Sequence, residues 1–416
     1  MKRILWVCNT PLPDVQNSVG ARSYQEGWLT GISNQIRSRA DIDFYYAFPQ
    51  KKYIKTFCKT INGINFLGFY DERKNWFDIS PANVELARAL IEKINPDIIH
   101  IFGTELPHAL EWVNGIDKKE RIIVSIQGLT SEMAKVYLKG IPLIERIRGK
   151  FTDRKYHCML KEQIEFHRRG INEKHLLSVV ENVTGRTNWD RECVGKINST
   201  CRYYYCGEIL RDSFYDGVWD ISKIQRYSIL ISQAYYPIKG FHILISALPL
   251  IKRKFPDVMV YVAGNNVSLD YNTPYGRYIH KMIKKFQVES NIVFMGKLTE
   301  HKMKKQLLKS HIMLMPSLIE NSPNSIGEAM MLGVPVVAAA VGGIPDILSD
   351  RTEGYLYPVM NKNALCKRVC RLFENDRLAL SFSSEGKKHA QKLYNKMHNA
   401  ERLFQIYDRV SGESNK

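Results

Sequence analysis

No stretch of this 416-residue chain approaches the roughly 18 consecutive apolar residues expected of a membrane-crossing helix. Its opening, MKRILWVCNTPLPD, has basic residues but an apolar run too short for the core of a signal peptide, and it reads instead as a first strand. None of the eight cysteines forms a Cys-x-x-Cys pair. Cys366 and Cys370 stand at helical i, i+4 spacing, which would suit a metal, but no second pair accompanies them; we read all eight as free thiols in a reducing cytoplasm. G-x-G-x-x-G is missing, which argues against a dinucleotide site, and there is no internal repeat or low-complexity run. Acidic residues are the scarcer charge, 42 against 60 basic, leaving a formal net charge of +18. That excess suits an anionic partner, whether nucleic acid, an acidic membrane surface or a phosphorylated substrate, and it also suits a lysine-rich surface with no single partner.

What is present is apolar material for two ordinary domains, arranged as short apolar runs alternating with amphipathic stretches. KRILWVC is a strand, and a loop then leads into a helix entered at Gly27, with Trp28, Leu29, Ile32 and Ile36 at helical spacing. Asp41-Ile-Asp43 runs straight into FYYAF, so its carboxylates open a strand rather than hold a metal. A helix over 81–94 and a buried strand over Asp97 to Phe102 follow, leaving Gly103, Thr104 and Glu105 at the carboxyl end, where open parallel sheets collect ligands. His100, inside that strand, reads as a satisfied core histidine. RIIVSIQGLTSEM repeats the scheme and places Gln127 after its strand; HLLSVVENVTGRTNWD does so again with Arg186. Between them, residues 135 to 175 are basic and amphipathic, which fits an interfacial helix on anionic lipid and equally a solvated helix pair covering the sheet. In the second half, YSILIS, DVMVYVAGN and NIVFMGKL are further strands, and Lys239 stands beside Gly240 at a helix start, placed to reach a phosphate.

The chain is organised around residues 311 to 346. HIMLM and VPVVAAA are strands. Between them Ser322-Pro323-Asn324-Ser325 reads as a helix start, with a capping oxygen and proline at the first helical position, and Gly333 as the stop. Glu320 then lies in the loop and Glu328 about one turn into the helix, so the two carboxylates can converge on one crevice. Backbone N–H groups from Asn324, Ser325 and Ile326 point into it with the positive end of the helix dipole behind them, which suits a phosphate. Each glutamate also has a plainer reading: Ser325-Ile-Gly-Glu328 matches a capping box, and Glu320 alone is a solvated loop residue.

Glu320-x7-Glu328 followed by AMMLGVPVVAAAVGGIPD closely resembles the donor-site signature of retaining, nucleotide-sugar-dependent glycosyltransferases of GT-B family 4. The resemblance implies two facing Rossmann-like doubly wound domains with a cleft between them. It also implies that Glu320 contacts the donor sugar, that Glu328 binds the ribose hydroxyls, and that the Gly342-Gly343 turn belongs to the same site. Lys239 would neutralise the donor diphosphate; Ser232-Gln233 stand where relatives place an arginine, so backbone donors and Arg186 are further candidates. Gln127 replaces a histidine that faces the transferred sugar in many relatives, and Gly27 marks a turn near the acceptor, with Glu105 on the same side. The segments DIIHIFGTE, GRTNWD and Glu208-Ile-Leu-Arg211 are similar to a subgroup of surface-polysaccharide transferases.

The expected organisation is therefore an acceptor-binding domain over 1–206, a crossing over 207–226, a donor domain over 227–395, and a C-terminal helix over 396–416 that returns to the first domain and ends in a loose tail. The expected reaction moves a sugar from a nucleotide-diphosphate donor to a saccharide acceptor, with retention implied by the resemblance and without metal or other cofactor, for capsule, O-antigen or similar polymer; the positive charge and the 135–175 segment point to a lipid-linked acceptor. Location would be cytoplasmic, peripheral on the inner membrane face. Two alternatives stand beside this: a nucleotide-sugar epimerase of the same architecture, which product analysis without acceptor would expose, and a basic nucleic-acid-binding protein. Against the latter, no nucleic-acid module is recognisable and the lysines are dispersed.

Overall fold

Runs such as Ile98–Phe102, apolar on both faces, are stable only as central strands covered by helices on either side. The computed structural model describes residues 1–15, 27–51, 56–71, 73, 75–152 and 155–412, and there that rule holds throughout. In chain order the elements begin β1 (Lys2–Val7), α1 (Gly27–Arg37), β2 (Ile42–Gln50), β3 (Phe57–Ile61), β4 (Ile64–Tyr70), α2 (Pro81–Ile94), β5 (Ile98–Phe102), α3 (Pro107–Asn114) and β6 (Ile122–Ser125). They continue α4 (Thr130–Val136), α5 (Leu143–Ile147), the antiparallel pair β7 (Lys150–Thr152) and β8 (Lys155–His157), α6 (Met159–Val179), β9 (Asn182–Gly185), α7 (Asn188–Ile197) and β10 (Arg202–Tyr205). The second half runs β11 (Gln225–Ile231), α8 (Phe241–Lys254), β12 (Met259–Ala263), α9 (Pro274–Phe286), β13 (Ile292–Gly296), α10 (Glu300–Lys309), β14 (Ser310–Met315), α11 (Asn324–Leu332) and β15 (Val336–Ala339). It closes with α12 (Ile344–Ile347), β16 (Gly354–Tyr357), α13 (Lys362–Glu374), α14 (Asp376–Leu393) and α15 (Lys396–Val410).

By its contacts the chain divides into two compact units: 1–132 with 165–211 and 394–416, and 133–164 with 212–393. The C-terminal helix therefore joins the first unit, where Trp6 Nε1 donates to Tyr407 Oη at 2.8 Å. Residues 133–164, assigned from sequence to the first domain, pack instead with the second. His242 Nε2 lies 3.2 Å from the Lys139 carbonyl, and the Glu145 carboxylate meets Lys281 at 2.6 Å. Nor is 135–175 one amphipathic helix. The β7–β8 pair interrupts it, and only α6 is long.

The first unit is one sheet in the order β10-β9-β6-β5-β1-β2-β4-β3, parallel except that β3 runs against β4. Local sequence sets its helices. α2 starts where the Ser80 hydroxyl accepts from Asn83 N–H and Pro81 supplies the first helical residue; it stops at Asn95, which takes the left-handed conformation. Trp6, Phe44, Tyr46, Phe48 and Phe66 fill one face of the sheet together with Leu403 and Tyr407 of α15.

The six-stranded sheet of the second unit, from which the antiparallel β7–β8 pair lies apart, is all parallel, in the order β13-β12-β11-β14-β15-β16. Numbered from β11 that is 3-2-1-4-5-6, the doubly wound order of dinucleotide-type folds. The order reverses between β11 and β14. At such a switch point the loops leaving the two carboxyl ends part to opposite faces and open a crevice. No helix among the described residues is long and apolar enough to cross a membrane.

Candidate functional site

The loops leaving β11 and β14 meet at this switch point. Leu318 N–H donates to the Ile238 carbonyl at 2.7 Å, tying one loop to the other. Gly240 adopts φ +69, and a Cβ there would stand 1.9 Å from the Pro316 carbonyl oxygen, so only glycine lets the chain turn into α8 at that approach. This tie brings Lys239 Nζ to 2.7 Å from Glu320 Oε1, and Ser317 Oγ donates to the same oxygen at 2.7 Å. Glu320 is buried and Lys239 is partly open to solvent.

A third loop, after β15, closes on the backbone of Glu320. Gly343 N–H donates to the Glu320 carbonyl at 3.0 Å, and a Cβ on Gly342, at φ +53, would fall 1.9 Å from that carbonyl oxygen. The expected Gly342-Gly343 turn is thus the backbone rest against which Glu320 is held.

α11 starts at Asn324, with extended Pro323 as its N-cap. The proline is therefore one position earlier than the sequence suggests, and it brings no side-chain oxygen to cap the helix. Ser325 and Glu328 accordingly do not occupy the positions of a capping box, which needs the hydroxyl residue at the N-cap itself. Glu328 is buried in the second turn, and Ile326 N–H already closes on the Pro323 carbonyl at 3.0 Å. The helix opens with the N–H groups of Asn324 and Ser325, which have no intrahelical acceptor, as at any helix start. Asn324 Oδ1 is a buried oxygen without a hydrogen-bond partner among the described residues. A ligand hydroxyl or N–H would satisfy it. Together the second unit offers a cation, a buried carboxylate, a helix N-terminus and an orphaned acceptor around one switch point. Among the described residues no three His, Cys, Asp or Glu side chains gather to hold a metal ion.

The remaining expected residues lie in the first unit. Gly27 is the first residue of α1, and the loop before it, 16–26, lies outside the described residues. Arg186 follows β9; it is buried in an ion pair with Glu208 at 2.5 Å, and its Nη2 reaches Gln127 Oε1 at 3.4 Å. Its charge is therefore already balanced inside its own unit. His100 is a core histidine as read from sequence, with Nδ1 2.7 Å from Tyr407 Oη and Nε2 2.7 Å from Ser125 Oγ; burial holds it neutral, down to about 3. His100, Ser125, Gln127, Thr184, Arg186 and Glu208 line a small cavity of about 40 Å³ at the carboxyl edge of this sheet. Asp41 is held by Arg39 and Asp43 by Tyr45 and Asn65, consistent with strand-opening roles.

One group escaped the sequence reading. Glu173 of α6 accepts five hydrogen bonds: from Thr130 N–H at 2.7 Å, Thr130 Oγ1 at 3.0 Å, Ser131 N–H at 3.0 Å, Ser131 Oγ at 2.5 Å and Thr104 Oγ1 at 2.9 Å. It caps α4 from outside and pins the loops after β5 and β6. One turn earlier Arg169 Nε donates to the Glu105 carbonyl at 2.7 Å, and Gly170 lets α6 approach so closely that a Cβ would stand 2.7 Å from Ser131 Cα. The only local trace of this in the sequence is a glycine inside a helical pattern. The Glu105 carboxyl folds over Gly103, and burial pushes it up to about 7, with Arg169 opposing and Glu173 adding to the rise.

Residues 221–389 match the protein family described as Glycosyl transferases group 1. The phosphatidylinositol N-acetylglucosaminyltransferase gpi3 subunit of Schizosaccharomyces pombe is 25% identical over 189 residues, 45% of this chain and 39% of that protein. The putative colanic acid biosynthesis glycosyltransferase WcaL of Salmonella typhimurium is 27% identical over 161 residues, 37% of this chain and 38% of that protein. These alignments thus span about two fifths of the length of the curated relatives. Anabaena HepE, solved in complex with UDP-glucose, superposes with a TM-score of 0.69 at 15% identity, covering 98% of this chain and 100% of that one. With its two parallel-sheet units, the chain has the GT-B fold.

Proposed function

We propose that the protein transfers a sugar from a nucleoside-diphosphate donor to a saccharide acceptor, with retained configuration and without a metal, in the assembly of a surface polysaccharide. The observation that carries this is the Lys239–Glu320 pair at the switch point of the second unit, beside the start of α11 and inside the matched segment 221–389. When the donor binds, Lys239 exchanges Glu320 for the diphosphate, and the released carboxylate takes hydroxyls of the sugar. Glu328 takes the ribose hydroxyls. The N–H groups at the start of α11 face the phosphates, so charge developing on the leaving group meets fixed donors rather than reorganising water. The acceptor hydroxyl bonds to the anomeric carbon on the face the phosphate is leaving, and its proton passes to the departing phosphate oxygen. Gln127, which cannot act as a base, is compatible with that route. The acceptor side falls to the first unit, to Gln127, Glu105 and the turn before Gly27. A lipid-linked acceptor is favoured by the net charge of +18, and a polymer product by the colanic acid relative.

Calorimetry against UDP, GDP, ADP, CMP and NAD, on the wild type and on Glu328→Ala, tests the reading. One nucleoside diphosphate should bind, and the substitution should weaken it at least about tenfold, the loss of roughly one charged hydrogen bond. Binding of no nucleotide, together with salt-sensitive binding to DNA that survives in Glu320→Ala, would leave the second unit as a plain scaffold.

A further inference from the structure

The cavity at the carboxyl edge of the first sheet has a polar lining whose hydrogens follow from its hydrogen bonds. Trp6 Nε1 is only ever a donor, and it donates to Tyr407 Oη at 2.8 Å. Tyr407 therefore has its own hydrogen to give to His100 Nδ1, 2.7 Å away. Burial keeps His100 neutral, so its proton sits on Nε2 and is donated to Ser125 Oγ at 2.7 Å. Ser125 Oγ and Thr184 Oγ1 stand 2.5 Å apart. One hydroxyl hydrogen spans that pair, and the other has no acceptor among the described residues, so it is left for an occupant of the cavity.

Gln127, which is partly open to solvent, adds to this surplus of donors. Its Oε1 accepts from Arg186 Nη2 at 3.4 Å, which leaves its amide hydrogens to donate. Arg186 and Glu208 cancel as an ion pair, so the lining carries no net charge. A carboxylate oxygen accepts more than one hydrogen bond, so Glu208 also supplies an acceptor to the cavity. Buried Ile126, Ile209 and Leu403 make the rest of the wall apolar.

Size and chemistry together narrow the occupant. The volume is about 40 Å³. A water needs roughly 10–15 Å³ of such space, so about three waters fit, or a group of about four non-hydrogen atoms. A whole sugar ring stays outside. A carboxylate or phosphate would enter with its charge uncompensated. A bare hydroxymethyl group would leave the apolar wall without contact. We propose that the cavity receives the acetamido group of an N-acetylated sugar. The carbonyl oxygen accepts from the Ser125–Thr184 pair and from Gln127, the N–H donates to Glu208, and the methyl lies on Ile126, Ile209 and Leu403.

This assignment rests on the sugar-transfer reading and adds to it the substituent that one of the sugars carries. The group arrives either on the nucleotide donor or on the acceptor, and the cavity chemistry is the same for both. α15 has a part in the site, because Tyr407, acting through His100, sets which way the hydroxyl pair offers its hydrogen. A further hydrogen bond and a buried methyl are together worth about tenfold in affinity or more.

The test titrates the full-length protein with N-acetylglucosamine and N-acetylgalactosamine against glucose and galactose, read by saturation-transfer NMR, and with UDP-N-acetylglucosamine against UDP-glucose, read by calorimetry. The acetylated member should bind about tenfold tighter or more in at least one arm. A preference between the UDP-sugars assigns the group to the donor; a preference among the free sugars alone assigns it to the acceptor. In wild type the methyl signals of Ile126 and Ile209 should shift with the acetylated member only. Gln127→Leu, which keeps the bulk and loses the amide donors, should cut the preference to below about threefold. No preference in either arm, or one that Gln127→Leu leaves intact, overturns the proposal and leaves the cavity to ordered water, while nucleotide binding in the same protein keeps the transfer reading. Failure of every nucleotide to bind, with the acetyl preference present, would do the reverse.

Discussion

At the scale of single residues, Glu320, Glu328 and Lys239 were legible as candidates because their types and spacing stand close in the chain or follow a strand, and the structure brings Lys239 and Glu320 into contact. The partner that positions Glu320 was less so. Gly342 is readable as a turn residue, but that its missing Cβ makes room for the Glu320 backbone depends on two loops 22 residues apart meeting in space. Likewise Arg186 and Gln127 were both found after strands, while the Glu208 carboxylate that neutralises Arg186 comes from a segment with no periodicity to place it. Glu105 yields a prediction at this scale. Its folded value is about 7, against about 4.3 for an unfolded chain, with desolvation as the first cause. Between those values the folded protein binds a proton that the unfolded chain has lost, so stability falls as pH rises from about 4.3 to about 7 and stays lower above it, by roughly 3 kcal/mol. Glu105→Gln cannot ionise and escapes this loss. Thermal melting at about pH 5 and pH 8 should show the variant gaining on wild type at the higher pH; a gap between the two proteins that does not change with pH would mean the carboxyl is well solvated.

Among elements, α6 departs most from its sequence reading. Its polar residues suggest a solvated or lipid-facing surface, and amphipathic periodicity cannot tell which charged residues turn inward. Arg169, Gly170 and Glu173 do, and they hold loops contributed by residues 103–105 and 130–131, some 40 to 70 positions earlier in the chain. Periodicity in one segment carries no trace of such a meeting. The five donors need an acceptor on both oxygens. In Glu173→Gln, one side of the side chain becomes a donor and faces the N–H and hydroxyl of either Thr130 or Ser131. A hydroxyl can rotate to accept; a backbone N–H cannot. The unsatisfied group costs about 1–3 kcal/mol locally. Amide exchange at Thr130 and Ser131 should therefore speed up by roughly ten- to a hundredfold, while the amides of β11 to β15 keep their rates. Gly170→Ala should act on the same amides with Glu173 intact, because its Cβ meets Ser131 backbone atoms that have no room to give. Uniform acceleration throughout the first unit would assign Glu173 to general stability instead.

For the whole molecule, the doubly wound layout followed from the alternation of apolar runs with amphipathic stretches, but the membership of residues 133–164 did not, because contacts rather than chain order decide it. That segment also sharpens the meaning of the +18 charge. It carries eight lysines and arginines against three acidic residues. On α5, Leu143, Ile144 and Ile147 are 75%, 58% and 53% exposed, and Leu160 and Ile164 at the start of α6 are also open. Exposed leucine and isoleucine side chains singly are ordinary, but five within 22 residues of a basic segment are what an anionic headgroup layer would attract and bury, and that is the expectation to test. Each basic residue near such a surface contributes about 1 kcal/mol, and the attraction fades with salt. The apolar part does not fade. Vesicles containing phosphatidylglycerol should therefore co-float the protein at low salt. Leu143→Ser with Ile147→Ser should lower binding at every salt concentration, whereas Arg148→Ala with Lys161→Ala should matter only at low salt. Equal binding to neutral and anionic vesicles, or no change in either double variant, would return this face to the solvent and leave the net charge without a membrane partner.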